Sequence, residues 1–186
     1  MKVEEASNLL GDMTLLIIEA LRTKYGDRIL QDICVRMPLY PAAGVALLLG
    51  HAGPPKCDEL IPMIKGSISR APSSINMGPF TINCQDDAAK FTNEIMKRVE
   101  RICKEKGSEE ALKYLAHEAL KIPYLDELEN GVLLNSLAFV PQILVYASHN
   151  NVDVTQDVIQ AHTHMAQFIS KVLTELREEL KRCRGR

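Results

Sequence analysis

One uninterrupted helical pattern constrains this chain more than any other feature. Between Val154 and Arg182 there is no Gly or Pro, and Val158, Met165, Ile169, Val172, Leu176 and Leu180 fall on one helix face. A helix over 154–182 is about 43 Å long at 1.5 Å rise per residue. A compact domain of this length is only about 40 Å across by the usual size scaling. The rest of the chain must therefore pack beside a rod that spans it and overhangs one end. Apolar residues on an overhanging end need cover, and a two-fold partner is the simplest source. The expectation is a homodimer, with His162, Met165, Ile169, Val172, Leu176 and Leu180 at the interface and Leu173 broadening the stripe. The alternative is a monomer whose helix curves around the core.

The remaining periodicities are also helical. Ala6, Leu10, Met13, Ile17 and Leu21 mark a helix over 3–24, ended by Gly26. Shorter helices are expected over 27–37, stopped by Pro38, over 42–49, and over 57–69, distorted by Pro62. Asn83 and Asp86 read as the cap of a helix running to Lys106, and another covers 108–122. Residues 71–83 are rich in turn formers, with a short strand over 80–82. The segment 132–148 is apolar nearly all round, which places it at the core centre, and Pro141 should kink it. The fold class expected is all-α: one domain over 1–186 with seven or eight helices around the central helix 132–148, a long C-terminal helix over 154–182, and a charged, partly frayed tail over 177–186.

Five cysteines, at 34, 57, 84, 103 and 183, form no CxxC pair and are odd in number. They read as free thiols in a reducing cytoplasm. Acidic residues near Met1 argue against a signal peptide. The apolar stretches 37–55 and 131–148 are interrupted by proline and amide residues and read as core, so no membrane role is expected. With 22 basic against 24 acidic residues and no Trp, nucleic-acid binding is not expected either.

No sequence signature names a reaction, a cofactor or a metal. His162 and His164, two apart, point about 200° away from each other on a helix and cannot share one ion. Two clusters suggest a pocket, and a small anionic ligand is the partner they would suit. Lys65, Arg70, Ser73 and Ser74 gather cations and hydroxyls in a loop-rich segment that also holds His51. Asn135, Gln142 and His149, seven apart, would share a face of the central helix beside the carbonyl freed by Pro141. The functional expectation is a helical interaction protein acting as a homo-oligomer. The alternative is a ligand-binding protein or enzyme with its pocket between the Pro141 kink and the 50–83 loops.

Overall fold

Proline placement decides how the helices join. The computed structural model describes residues 1–71, 73–77, 80–84 and 87–185. Helix α1 (Val3–Tyr25) ends at Gly26, whose φ of 81° suits a residue without a Cβ. Helix α2 (Arg28–Arg36), the 3-10 turn Met37–Leu39 and helix α3 (Tyr40–Ala52) follow as one rod. Pro38 and Pro41, expected to separate two helices, lie in first turns, where a missing N–H breaks no helical bond. Helix α4 (Cys57–Gly66) leads to a hairpin of β1 (Ser74–Met77) and β2 (Phe80–Asn83), paired antiparallel from Ser74–Asn83 to Met77–Phe80. Helix α5 (Asp87–Lys106) comes next; the Asp86 part of its expected cap lies outside the described residues.

Helix α6 (Ser108–Lys113) widens into a π turn, Tyr114–Glu118. Helix α7 (Glu127–Leu134) widens likewise over Asn135–Phe139 before helix α8 (Val140–Asn150). The second π turn answers the proline problem. The Val140 N–H bonds to the Asn135 carbonyl five residues back, and Pro141 falls in the first turn of α8. The helical run therefore continues from Glu127 to Asn150 instead of breaking at Pro141. Helix α9 (Thr155–Arg184) closes the chain, and the tail expected to fray is helical to Arg184. Counted as continuous rods, the described residues form seven helices and one small hairpin, an all-α bundle.

The centre of the bundle is α3, not the segment 132–148. Tyr40, Ala42, Ala43 and Ala46 are buried, and Gly44 lies against the π turn Asn135–Phe139. A Cβ at Gly44 would collide with the Ala138 carbonyl oxygen and with Gln142 Cγ, so only glycine permits this approach. By contrast Val145 and Tyr146 of α8 are at least half exposed. The apolar runs Arg28–Gly50 and Glu127–Asn150 are each long enough to cross a membrane by composition; 56% of the first run's most apolar window is buried in the bundle, against 28% of the second's.

The cysteines overturn the free-thiol expectation. Cys34 of α2 is bridged to Cys84 beyond the hairpin, with Cα atoms 5.5 Å apart, and Cys57 of α4 to Cys103 of α5 at 5.9 Å. Cys183 is the free cysteine, exposed near the end of α9. The bridges tie the short α4 and the segment just after the hairpin to the main bundle.

Thiol titration of the denatured, unreduced protein should count one thiol; a count of five would contradict the bridges. Closing loops of 50 and 46 residues, each bridge should contribute about 4 kcal/mol of stability by the loop-entropy model. Chemical denaturation with and without reductant measures it. Gly44→Ala should destabilise by about 1–3 kcal/mol, as overpacking does, although alanine is the better helix former.

Candidate functional site

Buried polar groups concentrate where α1, α2 and the 121–130 segment meet. Asp126 caps α7: its carboxylate accepts from the Glu129 N–H at 2.8 Å, and Glu129 Oε1 accepts from the Asp126 N–H at 3.1 Å. Glu129 itself is buried and also accepts from the Tyr25 hydroxyl at 2.5 Å and from Lys24 Nζ at 3.2 Å. The acidic run 126–129, which the sequence suggests is a solvated connector, is therefore half cap and half core. The spacing Asp-x-x-Glu ahead of apolar residues carried that signal.

A second network lies alongside. Arg36 is buried; its Nη1 donates to the Asp32 carboxylate at 3.3 Å and its Nη2 to the Lys121 carbonyl at 3.4 Å. The other Asp32 oxygen accepts a short bond from the Tyr124 hydroxyl, and the Arg28 guanidinium stacks 3.8 Å from the Tyr124 ring centre. Burial and this bond to Asp32 together raise the Tyr124 pKa, so the phenol stays a donor. Two buried groups are left over: among the described residues, Arg36 Nε and the Tyr40 hydroxyl have no hydrogen-bond partner. Burial holds the Tyr40 phenol neutral.

Two cavities border α7. A cleft of about 260 Å³ lies between the π turn Tyr114–Glu118 and α7, lined by Tyr40, His117, Lys121, Asn130 and Leu133 among others. A groove of about 230 Å³ lies between the π turn Asn135–Phe139 and α9, lined by Asn135, Phe139, Ile143, Asp157 and His164 among others. Neither draws a wall from residues 50–83, where the sequence placed one side of a pocket. A third, more open groove of about 420 Å³ runs between α1 and α9.

The residues proposed from sequence are not brought together. Asn135 lines the α9 groove, Gln142 packs on Gly44 of α3, and His149 is exposed near the end of α8. The seven-residue spacing assumed 3.6 residues per turn throughout; the π turn between Asn135 and Gln142 rotates them apart. Lys65 is ion-paired with Glu100, which neutralises the cation of the expected anion site. Arg70, Ser73 and Ser74 are exposed, and the side chain of His51 lies outside the described residues. On α9, Met165 and Val172 are buried within the chain itself, His162, Ile169 and Leu176 are half-buried, and Leu180 is 61% exposed. The described residues contain no cluster of His, Cys, Asp or Glu able to hold a metal ion.

The chain matches no protein-family model, no curated protein and no solved structure.

Glu129→Ala should cost about 2–3 kcal/mol, because it strands the Tyr25 hydroxyl and the Asp126 N–H and leaves Lys24 unpaired; denaturant unfolding measures it. Asp126 supplies a pH test. Burial opposes its charge, but the hydrogen bonds with Glu129 and the fields of Lys24 and Lys171 outweigh it and lower its pKa. A lowered folded-state pKa stabilises above the unfolded carboxylate value of about 4, and that stability is lost as pH falls through the folded value. Asp126→Asn keeps a capping oxygen and should flatten the acid limb of Tm against pH; an unchanged limb would contradict the assignment.

Proposed function

We propose that this protein is a helical interaction module that pairs with a second copy of itself through the face shared by α1 and α9. The observation that carries this reading is an apolar seam left open on two neighbouring, parallel helices. The amino group of Met1 bonds to Thr155 Oγ1 at 3.2 Å, and Met13 and Leu16 border the same groove as Ile169 and Leu173, so α1 and α9 run in the same direction. On α9, Ala166, Ile169, Leu173, Leu176, Leu180 and Cys183 alternate spacings of three and four. On α1, Leu9, Met13, Leu16 and Ala20 do the same. Leu16, Leu173 and Leu180 are 52%, 60% and 61% exposed. Soluble proteins rarely leave a contiguous stripe of this kind uncovered.

This seam is the sequence-predicted stripe turned partway around the helix. Met165 and Val172 face inward, Ile169 and Leu176 are half-buried at the edge, and Leu180 stays with Leu173 on the open side. Beyond residue 176 the whole of α9 is exposed, an overhang of about 12 Å. In a parallel, in-register pair, Leu173, Leu176 and Leu180 each meet their own counterparts. Glu179 then lies beside Arg184 of the second copy, an opposite-charge pairing made twice. That complementarity favours a second copy of this chain as the occupant.

The cytoplasmic location rested on free thiols. Two disulfides support an oxidising compartment instead, since bridges persist there and are rare in a mesophilic cytosol.

Sedimentation at micromolar concentration should give the dimer mass, and a monomer mass would overturn the proposal. Leu173→Asp with Leu180→Asp should yield a folded monomer, since both side chains are already exposed in the single chain. Mild oxidation should link the copies through Cys183, which the parallel register brings beside its counterpart.

A further inference from the structure

We infer that the cleft between the π turn Tyr114–Glu118 and α7 is a binding site for a small, mostly apolar molecule carrying one neutral acceptor oxygen, such as a ketone carbonyl. The inference does not depend on dimerisation, since the cleft is lined by residues outside the α1–α9 face.

Three features of the cleft define the ligand. Its volume, about 260 Å³, falls just below the range of about 300–1,000 Å³ typical of drug-sized ligands, so the occupant is small. Its walls include Ala116, Leu120, Leu133 and Leu134, which suit an apolar body. Gly131 leaves one wall bare: a Cβ there would meet nothing within 4 Å. The π turn on the facing wall displaces helical backbone in the way often found at binding sites.

The polar requirement comes from Tyr40. It lines the cleft, it is buried, and its hydroxyl has no partner among the described residues. A buried hydroxyl without a partner is destabilising, because it has given up its bonds to water and gained none. The hydroxyl is closed to water, so a ligand oxygen accepts from it once the wall at Tyr40 gives way, and that bond fixes the ligand's orientation. A neutral oxygen suits the cleft better than a carboxylate. Lys121 is paired with Glu118 at 3.1 Å and Arg36 with Asp32 at 3.3 Å, while Glu127 adds negative charge to the lining. An anion would meet Lys121 already paired with Glu118, and Glu127, which has no ion-pair partner among the described residues. This differs from the anionic ligand suggested by Lys65 and Arg70, which lie outside the cleft.

The test is a titration of the full chain, followed by amide chemical shifts in two-dimensional NMR, with three probes of similar size. These are 4-phenyl-2-butanone, 3-phenylpropionate and butylbenzene: a neutral acceptor, an anion and a hydrocarbon. The ketone should shift the amides of Ala116, Leu120, Leu133 and Leu134 saturably. It should bind about tenfold more tightly than either other probe, the ratio expected for one net hydrogen bond. Tyr40→Phe should abolish the preference of ketone over hydrocarbon. Gly131→Met should fill the cleft and abolish binding of all three with the rest of the spectrum unchanged. Should Tyr40→Phe fail to fold, the probe ratio and the Gly131→Met arm still decide. Shifts that map elsewhere, equal affinity for the three probes, a ketone preference that survives Tyr40→Phe, binding that survives Gly131→Met, or no saturation up to the solubility limit would each overturn the inference.

Discussion

At Gly44 the backbone of α3 comes so near the π turn Asn135–Phe139 that one methyl group would strike both the Ala138 carbonyl oxygen and Gln142. Around this approach the small residues Ala42, Ala43 and Ala46 are buried, as is Leu115 of the π turn Tyr114–Glu118, which also packs on α3. Close backbone packing needs small residues in register, which explains why α3 is the apolar helix with the least bulk. The helical run through 132–148 packs on α3 and also on α1, and it is wet along the rest of its surface, where Val145 and Tyr146 are exposed.

Both cavities beside α7 grow out of the same irregularity. A π turn inserts an extra residue, so the side chains on either side no longer stack in one line. One such turn faces α7 across the Tyr40 cleft, and the other faces α9 across the Asn135 groove. The helical ladder is kept, with Val140 and Ala119 each bonding five residues back, so the bundle gains concave surface without unpaired backbone at these points. Pro141 gives the second turn a local cause; the first has no proline nearby in its own helix.

The all-α class, the long C-terminal rod and its overhang were legible because they rest on composition and on an unbroken period. The rotation of the seam was not, because period alone cannot say which of two adjoining stripes faces the core; Met165 and Leu173 both fit an apolar face. The shared face of Asn135 and Gln142 failed for a definite reason: seven-residue spacing holds only where every turn is α, and a π turn lies between them. The disulfide partners lie 46 and 50 residues apart, and no local pattern reports such a pairing. Arg36, by contrast, could have been found. It recurs with Ile29 and Ile33 at helical spacing, which places a charge on a buried face and demands partners such as Asp32.

The claim on which the account rests is that α3, held against the π turn at Gly44, is the centre of the core. Native-state amide hydrogen exchange tests it most directly, because the most deeply packed backbone opens only with global unfolding. The amides of Ala43, Gly44, Val45 and Ala46 should exchange at the global unfolding rate, and those of Tyr146 to Asn150 should exchange through smaller, cheaper openings. Protection of Tyr146 to Asn150 equal to or greater than that of α3 would contradict the account and return the centre of the core to the 132–148 segment.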